Sequence, residues 1–290
     1  MRLSAFFIST PLASGLVSAA PSRAEPRAVP KILISSDSTT ANYAADKVLQ
    51  GWGYYLNTYT TLEVRNLARN GHSTRTFIKE GLWSALLDST ASGDYVIIEM
   101  GHCDFGNPTI AGTKAADRAT LPGIGEETVV ATLPSGATET VHTFGWYLRQ
   151  MITDVQAKGA TSIISGMIGR NFWEGKKLRD NWPFSDYAEQ VATMAGVEFI
   201  DHTEYFFALF QSFGPKKATT YFPIDNTHTN SHGAKLTAQA FVQALKCKCG
   251  GASQLAQYLN SAAQVLKTPA CQPCQQLWTE ATPDSLGPGY

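Results

Sequence analysis

Five short apolar runs, rich in Ile and Val, decide what this chain can fold into. They lie at Lys31–Ser35, Leu62–Leu67, Tyr95–Met100, Thr161–Met167 and Val197–Asp201. A half-exposed strand alternates apolar and polar residues, whereas these runs are nearly continuous, as strands of a parallel sheet covered on both faces are. Amphipathic helical patterns separate several of them, at Trp146–Lys158, Phe184–Ala195 and Ser231–Leu245, and Gly159 and Gly196 follow two of these as helix stops. The alternation predicts an α/β fold: a three-layer α/β/α sandwich with a mostly parallel sheet and right-handed crossovers. One segment breaks the rhythm. EETVVATLPSGATETVHT reads as a β-hairpin insertion that turns at Pro134-Ser135-Gly136.

No tandem repeat is visible, and 290 residues with 43% hydrophobic content suit one core. Residues 1–20 read as a secretory signal peptide, with Arg2 ahead of a mostly apolar stretch and small residues at Val17–Ala20 for cleavage. Residues 21–246 form the expected catalytic domain, and 247–290 a cysteine-containing extension packed on it. A formal net charge of −1, with no basic run, gives no reason to expect a nucleic-acid partner. No later stretch is apolar over the ~20 residues a membrane span needs. A secreted, extracellular monomer is expected.

The cysteines fit an oxidising compartment. Cys247, Cys249, Cys271 and Cys274 cluster near the end and Cys103 stands far upstream. The four allow three pairings, and a Cys-x-Cys with a Cys-x-x-Cys also has the makings of a zinc site. In a secreted chain disulfides are the preferred reading. Cys103 is then a free thiol.

Two polar motifs carry the chemistry. Ser38 sits just past the first apolar run, and Asp225 and His228 sit three residues apart in DNTH. A serine hydroxyl is a poor nucleophile near neutral pH and needs a base within hydrogen-bond reach. The base needs a carboxylate to hold its tautomer and stabilise its imidazolium form. Ser38, His228 and Asp225 supply all three parts. In open α/β sheets the site lies beyond the carboxyl ends of the strands, where a helix start at Ser38 is expected to aim backbone N–H groups at a developing oxyanion. The Gly-x-Ser-x-Gly elbow of the α/β-hydrolases is absent from the chain.

Four blocks in order resemble the SGNH, or GDSL, hydrolases: SDST at Ser36–Thr39, NLARNGHSTRTF with Gly71, GHCD at Gly101–Asp104, and DNTH at Asp225–His228. Within that superfamily GHSTRTF, GHCDFG and VHTFGWYLRQMI are most similar to the rhamnogalacturonan acetylesterases. The resemblance runs from about Lys31 to Leu245. It implies a flavodoxin-like sandwich and removal of O-acetyl groups from acetylated plant cell-wall polysaccharide, a step in pectin degradation, without metal or cofactor. It also implies roles: Ser38 as nucleophile, His228 as general base and then acid, and Asp225 as its orienter. The oxyanion hole would be the N–H groups of Ser38 and Gly71 with the third block's side chain.

Two residues depart from the family pattern. Ser36 replaces the glycine of the first block, a small change if its φ is negative. Cys103 replaces the third block's asparagine, and a thiol is a far weaker donor than an amide. Loss of one preformed oxyanion donor costs ~10²–10³ in kcat. A slowed acetylesterase is therefore the leading expectation. The alternatives are a secreted polysaccharide-binding protein that has lost turnover, and a serine esterase acting on a different ester.

Other polar residues have plainer explanations. His72 and His102 are candidate substrate contacts beside the second and third blocks, each with a structural role as the competing reading. His142, His202 and His232 have no metal-ligand spacing. Asp37 and Asp104 are expected to accept hydrogen bonds from loop N–H groups. The stretch GRNFWEGKKLRDNWPFSDY mixes basic and aromatic residues, and its Arg170 and Trp173 are the candidates for a uronate carboxylate and a sugar face.

Overall fold

The structure, a computed structural model, describes residues 29–248, 251–266 and 271. The expected signal peptide lies outside the described residues, as do Cys249 and Cys274.

The five apolar runs form five strands: β1 (Ile32–Ser36), β2 (Val64–Asn66), β3 (Tyr95–Glu99), β4 (Thr161–Ser165) and β5 (Glu198–Ile200). They pair in the order β2-β1-β3-β4-β5, every pair parallel. This is the flavodoxin-like order, which places a switch point between β1 and β3. Successive residues of a strand point to opposite faces, so each run feeds two cores. Ile32, Ile34, Ile97, Ile163 and Ile200 pack on one face, and Leu33, Val96, Ile98 and Ile164 on the other.

Helices cover both faces. In chain order they are α1 (Gly53–Leu56), α2 (Thr74–Lys79), α3 (Leu82–Asp88), α4 (Lys114–Arg118), α5 (Phe144–Ala157), α6 (Pro183–Ala195), α7 (His202–Thr219) and α8 (Ser231–Lys246). Trp52, Leu56, Phe206, Phe210 and Phe241 bring α1, α7 and α8 onto the first face. Phe77, Trp83, Leu148, Met151 and Val191 bring α2, α3, α5 and α6 onto the second. Three layers result. Helix starts are capped locally: Thr143 accepts from Trp146 N ahead of α5, and Asn230 from Gly233 N ahead of α8.

The hairpin stands as expected, with Thr128–Thr132 antiparallel to Thr138–His142 and Leu133 and Ala137 closing the turn. After α8 the chain returns to the start of the fold. Thr61 N donates to Tyr258 O at 2.8 Å, Asn260 N to Tyr59 O at 3.0 Å, and Leu255 is buried in the first core. Cys247 is bonded to Cys271.

Between the strands and the cleft lies a buried polar knot. The carboxylate of Glu99, 1% exposed, accepts from Trp52 Nε1 (2.8 Å), Ser165 Oγ (2.6 Å) and His202 Nδ1 (2.8 Å). His202 Nε2 faces Thr237 O at 3.0 Å, so both ring nitrogens face acceptors. The knot ties β3, β4, α7 and α8 together directly beneath the GHCD loop.

Candidate active site

The site forms where β1 and β3 end. Ser36 is the last residue of β1, in extended backbone that accepts a side chain without strain, and its Oγ donates to Glu99 O at 2.5 Å. Beyond it the chain makes one turn. Asp37 O accepts from Thr40 N (3.3 Å) and Ala41 N (3.1 Å), and Asp37 Oδ1 accepts from Thr39 N (2.9 Å) and Thr39 Oγ1 (2.8 Å). The helix start expected at Ser38 is thus a single turn, because residues 42–47 present no apolar stripe to bury and the next helix begins at Gly53. The turn still lifts Ser38 out of the sheet and leaves it 8% exposed at the mouth.

Asp225 and His228 occupy the loop between α7 and α8. Asp225 Oδ1 accepts from Thr227 N and His228 N, each at 2.7 Å, and Oδ2 lies 2.7 Å from His228 Nδ1. A carboxylate facing Nδ1 keeps the proton there, so in the neutral ring Nε2 is the acceptor. His228 Nε2 lies 2.8 Å from Ser38 Oγ. Burial pushes Asp225 up, but the hydrogen bonds from His228 and Thr227 outweigh it and hold the carboxyl below its ordinary value. It is therefore ionised when the neutral ring accepts a proton.

Ser38, Gly71 and Cys103 line one cleft of ≈ 510 Å³ with Asp225 and His228. Among the described residues neither Ser38 N nor Gly71 N donates to a protein acceptor. Gly71 reaches this position with φ of +77°, a left-handed conformation in which a side chain is strained. Gly101 likewise has a positive φ, +152°, and a Cβ there would lie 2.3 Å from Met167 Sδ.

Cys103 is 5% exposed and unpaired. Burial, reinforced by the Asp37 charge, pushes its thiol up to about 12, so it stays protonated. Asp104 accepts from Thr74 N (3.0 Å) and Thr74 Oγ1 (2.5 Å), which fastens the third block to the start of α2. Its own burial raises it to about 7. His102 is 5% exposed, and neither ring nitrogen has a partner among the described residues. Burial, helped by the charge of Arg170, lowers it to about 3, so it lines the cleft as a neutral ring.

Arg170 also lines the cleft. His72 and Trp173 do not. His72 is held by Asn70 O (2.7 Å) and Glu80 Oε2 (2.8 Å), bracing the loop that carries Gly71. Trp173 packs against the first core and donates to Asn171 Oδ1 at 2.8 Å, bracing the loop that carries Arg170. The sequence did not single out several other neighbours of the cleft. Asn70, next to Gly71, and Arg118, at the end of α4, line the cleft. Tyr43 donates from its hydroxyl to Ser38 O at 3.0 Å. Only Asn70 had a sequence signal, its place beside the second-block glycine.

A model of the GDSL-like lipase/acylhydrolase family matches residues 37–236, from the residue before Ser38 to past His228. The chain belongs to that family. This SGNH hydrolase is 36% identical over 217 residues to a rhamnogalacturonan acetylesterase of Emericella nidulans, covering 74% of this chain and 84% of the relative. It is 28% identical to a probable rhamnogalacturonan acetylesterase of Bacillus subtilis, covering 74% and 92%. Among solved structures, a Bacillus subtilis protein, YxiM, superposes with TM-score 0.60 at 28% identity over 75% of this chain and 56% of that one. The hydrolase thus spans little more than half of that protein. An acetylxylan esterase of Geobacillus stearothermophilus, at 15% identity and TM-score 0.50 over 74% and 93%, shares the fold. The SGNH chain is a carboxylic-ester hydrolase, similar to rhamnogalacturonan acetylesterases.

Proposed function

We propose that this esterase is secreted and removes O-acetyl groups from a pectic, rhamnogalacturonan-type polysaccharide by a Ser–His–Asp mechanism. The observation that carries the mechanism is the unbroken series Asp225–His228–Ser38, with contacts of 2.7 and 2.8 Å, opening into a cleft beside two uncommitted amides. Support for the substrate comes from the two relatives named as rhamnogalacturonan acetylesterases.

Ser38 Oγ attacks the acetyl carbonyl carbon as His228 Nε2 takes its proton, and Asp225 stabilises the resulting imidazolium through Nδ1–H. The carbonyl oxygen becomes an oxyanion, held by Ser38 N, Gly71 N and, weakly, Cys103 Sγ–H. Collapse breaks the bond to the sugar oxygen, which leaves with the proton from Nε2. Water then gives a proton to His228 and attacks the acetyl-serine, and the second collapse returns that proton to Ser38 Oγ as acetic acid departs and ionises in solvent. Every proton exchanged with Ser38 or the leaving sugar moves through one nitrogen.

Acetate release from acetylated rhamnogalacturonan, compared with acetylated xylan, tests the assignment. The expected result is faster release from the pectic polymer. Equal or faster release from xylan would reassign the substrate and leave the mechanism standing.

A further inference from the structure

The cleft holds more positive charge than the proposed reaction uses. Its carboxylate, Asp225, is fully committed to His228 and Thr227. Two guanidinium groups share the cleft, Arg118 and Arg170. Among the described residues neither has an ion-pair or hydrogen-bond partner for its side chain. Elsewhere the fold treats half-buried or buried arginines differently. Arg75 is bound to Glu139 and to three backbone carbonyls, and Arg149 to Glu126 and to the carbonyls of Ile124 and Gly125.

Both cleft arginines are held where they are. Arg118 ends α4, whose last carbonyls are gripped by the buried Arg75: Nη1 donates to Ala119 O at 2.8 Å and Nη2 to Ala116 O at 2.7 Å. Arg118 Nη1 lies 3.9 Å from the point a Cβ on Gly71 would occupy, so it stands beside the oxyanion amide. Arg170 lies over the Trp182 ring, 5.9 Å from its centroid, and its Nε is buried without a partner. The next residue, Asn171, donates to Asn226 O at 2.7 Å, which fastens Arg170 to the loop of Asp225 and His228. The buried, neutral His102, with both ring nitrogens unpartnered, lies alongside.

Arg170 feels the charges of Asp37 and Asp225, but neither carboxylate pairs with it directly, and its orphaned buried N–H costs stability. A bound carboxylate relieves that cost, because its two oxygens match the guanidinium fork. We propose that Arg118 and Arg170 form a carboxylate subsite, and that the enzyme selects polymer with a free, unesterified uronate next to the acetylated sugar. The proposal rests on the acetylesterase reading above.

The test is binding by full-length Ser38→Ala protein, which needs no turnover. Titration calorimetry with a galacturonate oligosaccharide, as the free acid and as its methyl ester, is run on Ser38→Ala alone and with Arg118→Gln or Arg170→Gln added. The free acid is expected to bind at least ~10-fold tighter than the ester, about 1.4 kcal/mol, and each Gln variant to shrink that ratio toward one. Arg118→Lys and Arg170→Lys keep the charge but lose the fork, and are expected to retain an intermediate ratio. Equal affinity for acid and ester, or a ratio that neither Gln variant changes, overturns the subsite. Acetate release by the wild type is measured beside it: its absence would refute the acetylesterase reading, while the binding ratio still judges the arginines.

Discussion

The most informative perturbation is Cys103→Asn. The thiol lines the cleft, is 5% exposed and stays protonated because burial holds it up at about 12. It therefore does not repel a developing oxyanion, but it donates to one only weakly. A full side-chain donor in such a site contributes ~10²–10³ in kcat. The S–H retains a fraction of that, and Ser38 N and Gly71 N remain, so the expected gain is about 10- to 100-fold, or roughly 1.4–2.7 kcal/mol of barrier. KM is expected to change little, since the new bond forms mainly in the transition state. Asn is the larger side chain in a packed position, so the variant is expected to lose about 1–3 kcal/mol of stability. The assay is kcat and KM for 4-nitrophenyl acetate at saturating substrate, with Tm as the control. Cys103→Ala should be no faster than the wild type. An unchanged or lower kcat in a folded Cys103→Asn protein would refute the oxyanion explanation.

Three further outcomes are expected. Asp225→Asn removes the carboxylate that holds the Nδ1 proton. It should lower kcat by about 10²–10⁴, toward the smaller figure because the Asp225 side chain is 41% exposed, and a loss under fivefold would count against its role. Asp104, raised by burial from 3.8 to about 7, favours its protonated form in the folded state. Its contribution to stability is therefore complete below about pH 3.8 and lost as pH rises through about 7, with a ceiling of roughly 4 kcal/mol. Asp104→Asn does not titrate, so its Tm relative to the wild type should rise between pH 4.5 and 8; parallel curves would contradict the assignment. Glu99→Ala strips the partner from the buried Trp52, Ser165 and His202 and should cost about 3–5 kcal/mol, read as a large drop in Tm; a change of under 1 kcal/mol would mean the knot is not structural.

What could be read from the sequence follows physical range. Strands buried on both faces announce themselves as continuous Ile/Val runs, and all five lie within two residues of the runs that predicted them. Asp225 and His228 were legible because their geometry is local, three residues along one loop. The helix His202–Thr219 was not: aromatic residues crowd several of its sides and Gly214-Pro215 breaks its period. Nor was the Glu99–His202 contact, which joins residues 103 apart. Trp173 and His72 have the chemistry to touch a sugar, but residue type does not say which way a ring faces; one packs inward and the other braces a loop. Arg118 sits on a five-residue helix with too short an apolar pattern to signal itself.

We propose that Ser38, driven by His228 and Asp225, hydrolyses an acetyl ester on a pectic polymer. Acetate release from acetylated rhamnogalacturonan by purified wild type and Ser38→Ala, with Tm matched between the two, decides this. Release by the wild type that disappears in the variant is the predicted result. Equal release by both would remove Ser38 as the nucleophile, and none by a folded wild type would remove the acetylesterase activity.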